Sequence, residues 1–253
     1  MQTIKLLEKR EAAPRLFVLR FEKPEGFVFK AGQFARIGLQ LEGDAEPVMR
    51  AYSIASAPWA DTLDFFITAV PDGQLSPRIT ALNPGDEALL DGDAQGNLFP
   101  ERIPGGKTLW LFATGSGLAP FASILRNPDS HYPWHEIVLV DCVRTGDEAV
   151  LARELEKSFN EVFAPRSKLR LVVSTTRETD PAKAGEFCER IPALIASGEL
   201  ERAVGRTLTP ENARALLCGN PAFIDAMRAE LKKRGIISPR FGRPGQLVAE
   251  TFW

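Results

Sequence analysis

Residues 109–125 read LWLFATGSGLAPFASIL, and no other stretch constrains the fold as tightly. Leu109 to Ala113 form an unbroken apolar run, the pattern of a strand buried on both faces. The run stops at Thr114, Gly115, Ser116 and Gly117, then resumes from Leu118 to Leu125 as an apolar segment able to be helical. A strand feeding a glycine-rich turn and a helix makes an anion site, because free N–H groups and the helix dipole point at one spot. The glycines admit a ligand close to the backbone, and the hydroxyls of Thr114 and Ser116 add polar contacts. The fingerprint Gly-x-Gly-x-x-Gly/Ala is met imperfectly, since Pro120 stands at its third position. An ordinary tight βα connection also accounts for the turn.

On either side of residues 100–107 the patterning differs. Upstream, strand-like runs at 15–21, 33–39, 50–55, 63–70 and 87–90 are separated by turn signals at 23–26, 31–32, 71–73 and 83–86. Several short strands at this spacing predict a small antiparallel β-barrel. Ser76 followed by Pro77 predicts a short helix over 76–82, with Ser76 as N-cap and Pro77 at the first helical position. Downstream, strands alternate with helices: 108–113 then 118–126, 136–142 then 147–159, 168–174 then 188–197, 215–218 then 221–234, and a last strand near 246–252. That alternation predicts βαβ units and an α/β doubly wound parallel sheet with helices on both faces. The expected domains are 1–101 and 102–253.

A chain of 253 residues has room for both, and 44% hydrophobic with 25% charged residues is ordinary for a soluble globular protein. The net charge of −2 gives no global basic field for nucleic acid. No apolar run approaches the roughly 18 residues that span a bilayer, and the first residues, MQTIKLLEKREAA, carry acids and lack a secretory core. A cytoplasmic monomer is expected. Cys142, Cys188 and Cys218 are an odd, widely spaced set that fits neither a zinc site, an iron–sulfur cluster nor a disulfide framework. His131 and His135 stand four apart, but Pro133 between them argues against a helical metal pair.

Four stretches carry chemistry. At 50–56, Arg50 and Tyr52 fall on one face of an alternating strand. The guanidinium suits a phosphate, the phenol ring a flat heterocycle, and Ser53 adds a hydroxyl. At 73–78 a glycine turn meets the N-terminus of the short helix, a second phosphate seat or a plain capped turn. At 216–223, Asn220 is a good N-cap and Pro221 a good first helical residue, with Ile224, Met227 and Leu231 on the buried side. That account leaves Cys218 and Gly219 unexplained. The end, VAETFW, closes on two aromatics that fray unless docked, by plain packing or over a flat ligand.

Together these stretches resemble the bacterial ferredoxin (or flavodoxin)–NADP reductase family, in order and spacing along essentially the whole chain. The resemblance implies FAD on the barrel and NADP(H) on the sheet, with hydride exchange between nicotinamide and flavin N5 and single-electron exchange with ferredoxin or flavodoxin. Tyr52 is then expected to stack on the flavin, with Arg50, Ala51 and Ser53 beside it, aided by Gly73, Gln74, Leu75 and Ser76. Phe66 and Thr68 lie on a strand similar to one lining the flavin. Phe252 is expected to cover its other face and Trp253 the adenine. Thr114, Gly115, Ser116, Gly117 and Pro120 correspond to the nicotinamide and pyrophosphate loop, Ser116 replacing the family's frequent threonine. Cys218, Gly219 and Asn220 are expected near the nicotinamide, with Glu250 as a proton relay. Tyr52, Thr114, Cys218 and Glu250 form the expected catalytic set.

The choice of NADP over NAD rests on arginines, which bind a 2′-phosphate dianion well. Arg144, next to Thr145, follows the second strand of the sheet, and Arg177 follows the third, which ends near Ser174. Arg190 opens the next helical segment. Loops at the carboxyl ends of parallel strands are where such sheets bind ligands. Asp141, near the end of the second strand, points the other way, because an acid there favours NAD. Residues 228–243 hold Arg228, Lys232, Lys233, Arg234, Arg240 and Arg243 against the single acid Glu230. They are either a docking patch for an acidic electron carrier or a solvated helix face.

Three alternatives remain from sequence, one of them a plain barrel-plus-sheet interaction protein, which predicts a colourless preparation. An oxygenase reductase component shares this plan, although three scattered cysteines leave no room for its usual iron–sulfur domain. A non-catalytic flavin- or nucleotide-binding module would hold a flavin that NADPH does not bleach.

Overall fold

A computed structural model describes residues 1–131 and 134–252. The chain separates into two compact units: Met1–Asn97 with Ala119–Asn127, and Leu98–Leu118 with the residues from Pro128 onward.

The first unit is a six-stranded antiparallel sheet of β1 (Gln2–Ala13), β2 (Leu16–Glu22), β3 (Phe34–Leu39), β4 (Val48–Ser53), β5 (Thr62–Thr68) and β6 (Glu87–Gln95). Its order is β4-β3-β6-β1-β2-β5. The outer strands meet: Ile54, just past β4, bridges to Phe65 in β5, and Ala55 donates its N–H to the Asp64 carbonyl at 2.7 Å. The sheet thus closes on itself as the turn spacing predicts. Alternate residues such as Leu19, Phe21, Leu63, Phe65 and Ile67 point into one core.

Strand β1 is an addition to the sequence-based expectation. Only Ile4, Leu6 and Ala13 are buried along it, so its charge-rich pattern carries little strand signal. Pairing with β2 on one side and β6 on the other supplies what alternation does not. Helix α1 (Ser76–Ile79) corrects the predicted cap by one residue. Leu75 is the N-cap and Ser76 is already helical, because the Ser76 hydroxyl accepts the Val70 N–H at 3.1 Å instead of capping the helix. Helix α2 (Ala119–Arg126) also belongs to this unit.

In the second unit β7 (Thr108–Thr114), β8 (Glu136–Val143), β9 (Lys168–Thr175), β10 (Ala213–Gly219) and β11 (Leu247–Thr251) form a parallel sheet ordered β11-β10-β7-β8-β9. It is flanked by α3 (Pro128–His131), α4 (Val150–Phe163), α5 (Ile191–Ser197), α6 (Glu199–Val204) and α7 (Pro221–Lys233). Strand β7 sits at the centre, and Leu109 to Ala113 are wholly buried, as the apolar run requires. The chain leaves β7 toward β8 and β9 and returns on its other side to β10. Such a reversal opens a crevice at the carboxyl ends of the strands. Two predicted helices begin with a 3-10 turn, at Gly115–Leu118 and Gly146–Ala149. The helix expected from 188 starts at Ile191. Asn220 caps α7 as expected, accepting the Phe223 N–H at 3.0 Å. Among the described residues no helix is long and apolar enough to cross a membrane.

Candidate functional site

In the barrel, Tyr52 stands opposite Ala35 of β3 and packs half-buried against the core. Burial, opposed by the Arg50 charge, pushes its pKa up to about 12, so the phenol stays neutral. Arg50 is exposed, and its guanidinium donates to the Met49 carbonyl at 2.8 Å and to Gln74 Oε1 at 2.9 Å. That second bond joins β4 to the turn at 73–76, two stretches the sequence presents separately. The Gly73 N–H bonds the Val70 carbonyl at 2.9 Å. A Cβ on Gly73 would meet Ser76 Oγ at 2.9 Å and the Val70 carbonyl at 3.1 Å, so the turn is closed against the helix start. Ala51 is exposed and Ser53 half-buried. Leu75 is buried in the barrel core, which leaves only its backbone for a ligand. Phe66 is buried on the face of β5 opposite the core residues Phe65 and Ile67, the same face as Asp64 and Thr68. A pre-aimed exposed guanidinium beside a helix start and a half-buried aromatic fits a ligand with a phosphate and a flat ring, as FAD has.

In the parallel-sheet unit, register places Ala113, Cys218 and Glu250 side by side across β7, β10 and β11. One residue on, Gly219 pairs with Thr251, and the Phe252 N–H bonds the Gly219 carbonyl at 3.1 Å. The glycine turn lies against this row: a Cβ on Gly117 would come within 2.3 Å of the Cys218 carbonyl oxygen and 3.0 Å of the Phe252 ring. A Cβ on Gly219 would come within 2.5 Å of both Thr114 Oγ1 and the Phe223 ring. Thr114 Oγ1 is buried and has no hydrogen-bond partner among the described residues. Burial, reinforced by Glu250, holds the Cys218 thiol well above its usual pKa, so it stays protonated. Gly115 is exposed with φ +55° and Ser116 is half-buried. Pro120 is buried in the first turn of α2, where a missing N–H costs nothing. An orphaned hydroxyl, a neutral thiol and a ring thus gather around a glycine turn at the carboxyl end of the central strands. This arrangement fits a nicotinamide dinucleotide. Trp253 lies outside the described residues.

The arginine loops are tied together by backbone. The Arg177 N–H bonds the Arg144 carbonyl at 2.8 Å, and the Thr176 N–H bonds that of Val143 at 3.0 Å. Arg144 is offset by Glu148, whose carboxylate accepts its Nε at 2.9 Å and its backbone N–H at 3.2 Å. Arg177 and Arg190 are exposed; Arg190 is the N-cap residue of α5 and Thr145 that of the 3-10 turn after β8. Ser174 is wholly buried and its hydroxyl donates to the Glu189 carbonyl, which braces the loop before Arg190. Asp141 is 1% exposed, and one of its carboxyl oxygens has no hydrogen-bond partner among the described residues. From inside the sheet it cannot reach a ribose hydroxyl. The acid that argues for NAD is thereby withdrawn, and the exposed arginines remain.

Sequence reasoning missed Ser123, inside the apolar run that becomes α2, and Arg126, the helix residue just past its end. Ser123 Oγ donates to the Ser56 carbonyl at 2.7 Å and Arg126 Nη1 to the Ala55 carbonyl at 2.8 Å. Polar residues interrupting an amphipathic run were the available signal.

A model of the oxidoreductase FAD-binding domain matches residues 3–98, and one of the oxidoreductase NAD-binding domain matches residues 111–229. A flavodoxin/ferredoxin–NADP reductase of Escherichia coli is 38% identical over 229 residues, covering 89% of this chain and 88% of that protein. A ferredoxin–NADP reductase of Pseudomonas aeruginosa is 35% identical over 239 residues, covering 93% and 91%. The crystal structure of a ferredoxin NADP+ reductase from Neisseria gonorrhoeae with bound FAD and NADP aligns with a TM-score of 0.90 and 34% identity, over 100% of this chain and 98% of that one.

Proposed function

The chain belongs to the ferredoxin/flavodoxin–NADP reductase family, and on that premise we propose that it passes electrons between NADPH and a ferredoxin or flavodoxin in the cytoplasm. It is an FAD-dependent, NADP-linked oxidoreductase. The flavin supplies the conversion between two-electron hydride chemistry and one-electron transfer. The domain assignment that goes with this reading is FAD on 1–101 and NADP(H) on 102–253.

The observation that carries the residue roles is the cluster of Thr114, Gly117, Cys218, Gly219 and Phe252. Thr114 offers its unmet hydroxyl to the carboxamide end of the coenzyme. Cys218, held neutral, presents a polarisable surface without a charge that would favour one oxidation state of the nicotinamide. Glu250, in register beside it, is the group able to hold a proton at that row. Phe252 covers the ring position that nicotinamide must take, so it moves aside during turnover. On the barrel, Tyr52 stacks on the flavin, and Arg50, steadied by Gln74, forks the phosphate. Leu75 and Ser76 contribute backbone at the helix start.

Arg177 and Arg190 read the 2′-phosphate, with Arg144 partly offset by Glu148. A guanidinium–phosphate bond contributes about 1.5–3 kcal/mol, so Arg177→Ala is expected to raise the KM for NADPH by about 10- to 100-fold while leaving that for NADH within about twofold. Equal losses with both coenzymes would remove Arg177 from 2′-phosphate recognition.

The carrier docks on the basic stretch of α7 and the loop after it. Lys233 is paired with Glu230 at 2.6 Å and Arg234 with Glu201, whereas Arg228, Lys232, Arg240 and Arg243 are exposed. Arg240 and Arg243 pair through backbone across a tight turn with Phe241 fully exposed between them. An acidic partner with an apolar rim complements that pattern.

The decisive test is the visible spectrum of the purified protein. A flavin spectrum that bleaches under anaerobic NADPH, and far less under NADH, supports the reading. A flavin that NADPH leaves oxidised makes the protein a non-catalytic binding module.

A further inference from the structure

The loops after β8 and β9 each carry an exposed arginine, and one carboxylate joins them. Glu178, half-buried and next to Arg177, accepts three backbone N–H groups. Its Oε1 takes those of Thr179 and Asp180, both at 2.9 Å, within its own loop. Its Oε2 crosses to the loop after β8 and takes that of Gly146 at 2.9 Å. Gly146 opens the 3-10 turn there, and Thr145, the N-cap residue, makes no side-chain cap bond. Glu178 therefore caps a turn that its own end leaves uncapped. The loops are in close contact at this point. A Cβ on Gly146 would collide with the Lys183 carbonyl oxygen, and Lys183 Nζ pairs with Asp147 at 2.9 Å.

The clamp bears on both arginines. The capped turn carries Glu148, whose carboxylate accepts Arg144 Nε at 2.9 Å, so fixing the turn fixes that guanidinium. Arg177 immediately precedes Glu178, and its own N–H is bonded to the Arg144 carbonyl at 2.8 Å. It is thus held by the strand ladder before it and by the clamp after it. An acid is a costly choice at this place. A carboxylate close to guanidinium groups that take a phosphate repels that phosphate. The N–H groups of Asp180, Gly146 and Thr179, against a smaller effect of desolvation, hold the Glu178 carboxyl below its ordinary range, so it stays charged.

We propose that Glu178 is a positioning residue for coenzyme choice, clamping the loop after β9 to the turn after β8 so that Arg144 and Arg177 stand ready for a 2′-phosphate. The proposal rests on the functional reading above, in which these arginines meet that phosphate. Glu178 itself acts only through the Gly146 N–H and the turn behind it. Preordered groups bind more tightly because less freedom is lost on binding. The order that Glu178 imposes and the charge that it carries therefore act on phosphate affinity with opposite signs, and its removal separates them.

The test compares wild type with Glu178→Ala and Glu178→Gln, all as flavin-loaded protein. Calorimetry gives the affinities for 2′-phospho-AMP and for AMP, which lacks the 2′-phosphate. Steady-state kinetics gives KM and kcat with NADPH and with NADH, and amide hydrogen exchange gives the protection of Gly146. Glu178→Ala is expected to weaken 2′-phospho-AMP binding about fivefold, and to raise the KM for NADPH by a similar factor. Exchange at Gly146 quickens, while AMP affinity, the KM for NADH and kcat stay within about twofold. Glu178→Gln keeps an acceptor oxygen without the charge. Its 2′-phospho-AMP affinity is expected about threefold below wild type, and it carries the test should Glu178→Ala not fold. Unchanged or tighter 2′-phospho-AMP binding overturns the proposal, because the carboxylate then contributes its repulsion alone. Unaltered exchange at Gly146, or an equal loss of AMP binding, overturns it too. A wild type that binds 2′-phospho-AMP no more tightly than AMP overturns the functional reading of the arginines instead.

Discussion

Gly219→Ala is expected to slow flavin reduction by NADPH about 100-fold and to lower stability by about 1–3 kcal/mol. The added methyl has nowhere to go. It would lie 2.5 Å from Thr114 Oγ1 on one side and 2.5 Å from the Phe223 ring on the other. Phe223 is buried among the residues that pack α7 onto the sheet, so its ring cannot swing away. Thr114 must then give, and with it the end of β7 from which the glycine turn starts. The Phe252 N–H, held at 3.1 Å by the Gly219 carbonyl, is disturbed by the same shift. Anaerobic stopped-flow with NADPH and a thermal melt measure the two effects. A bleaching rate within threefold of wild type would show that Thr114 has no part in alignment.

Asp141→Asn is expected to stabilise the protein by an amount that grows with pH. Burial, reinforced by Glu148, pushes the Asp141 carboxyl from its ordinary 3.8 up to about 8. The folded chain therefore keeps a proton that the unfolded chain releases above about pH 4. The stability this contributes is complete below that pH, declines as pH rises and is gone above about 8. Asparagine, neutral throughout, suffers no such decline, and at about 1.36 kcal/mol per unit the difference at pH 7 is on the order of 4 kcal/mol.

His131 has the opposite sign. Its ring is buried against Phe159 and Phe163, both at 5.0 Å, and burial lowers its pKa to about 4. Its contribution is present above about pH 6.5 and is lost as pH falls toward 4. Between those limits the two slopes cancel, so the wild type is expected to have a flat stability profile from about pH 4.5 to 6.5 and a decline from there to 8. Asp141→Asn replaces that profile with one that falls only on the acid side. Urea midpoints from pH 4.5 to 8.5 decide the matter, and parallel curves for the two proteins would mean that Asp141 is ionised inside the fold.

The elements legible in the sequence are those whose pattern and environment agree. Leu109 to Ala113 read as a doubly buried strand because both faces are covered, and Asn220 with Pro221 reads as a helix start because capping is local chemistry. Strand β1 was not legible, since its partners in β6 lie more than eighty residues away and its own face alternates only at Ile4 and Leu6. The Ser76 cap slipped by one residue because its hydroxyl answers Val70, a tertiary demand. Within the site, the residue types at 50–53, 73–76, 114–117 and 218–220 were visible in order, but not the Arg50–Gln74 bond or the lack of a partner for Thr114 Oγ1. Asp141 and Ser174 show the limit most clearly. Each stands at a strand end that suits a ligand, and only burial shows that each side chain is turned inward.

The division of the chain has a practical corollary. The barrel is not one continuous segment, because Ala119–Asn127 belongs to it while the residues on either side of that helix do not. A chimera that joins this barrel to a relative's sheet at a single junction near residue 101 would set a foreign helix on the carbonyls of Ala55 and Ser56. Recombination that respects the architecture takes three crossovers, carrying the nine-residue insert along with the first 97 residues.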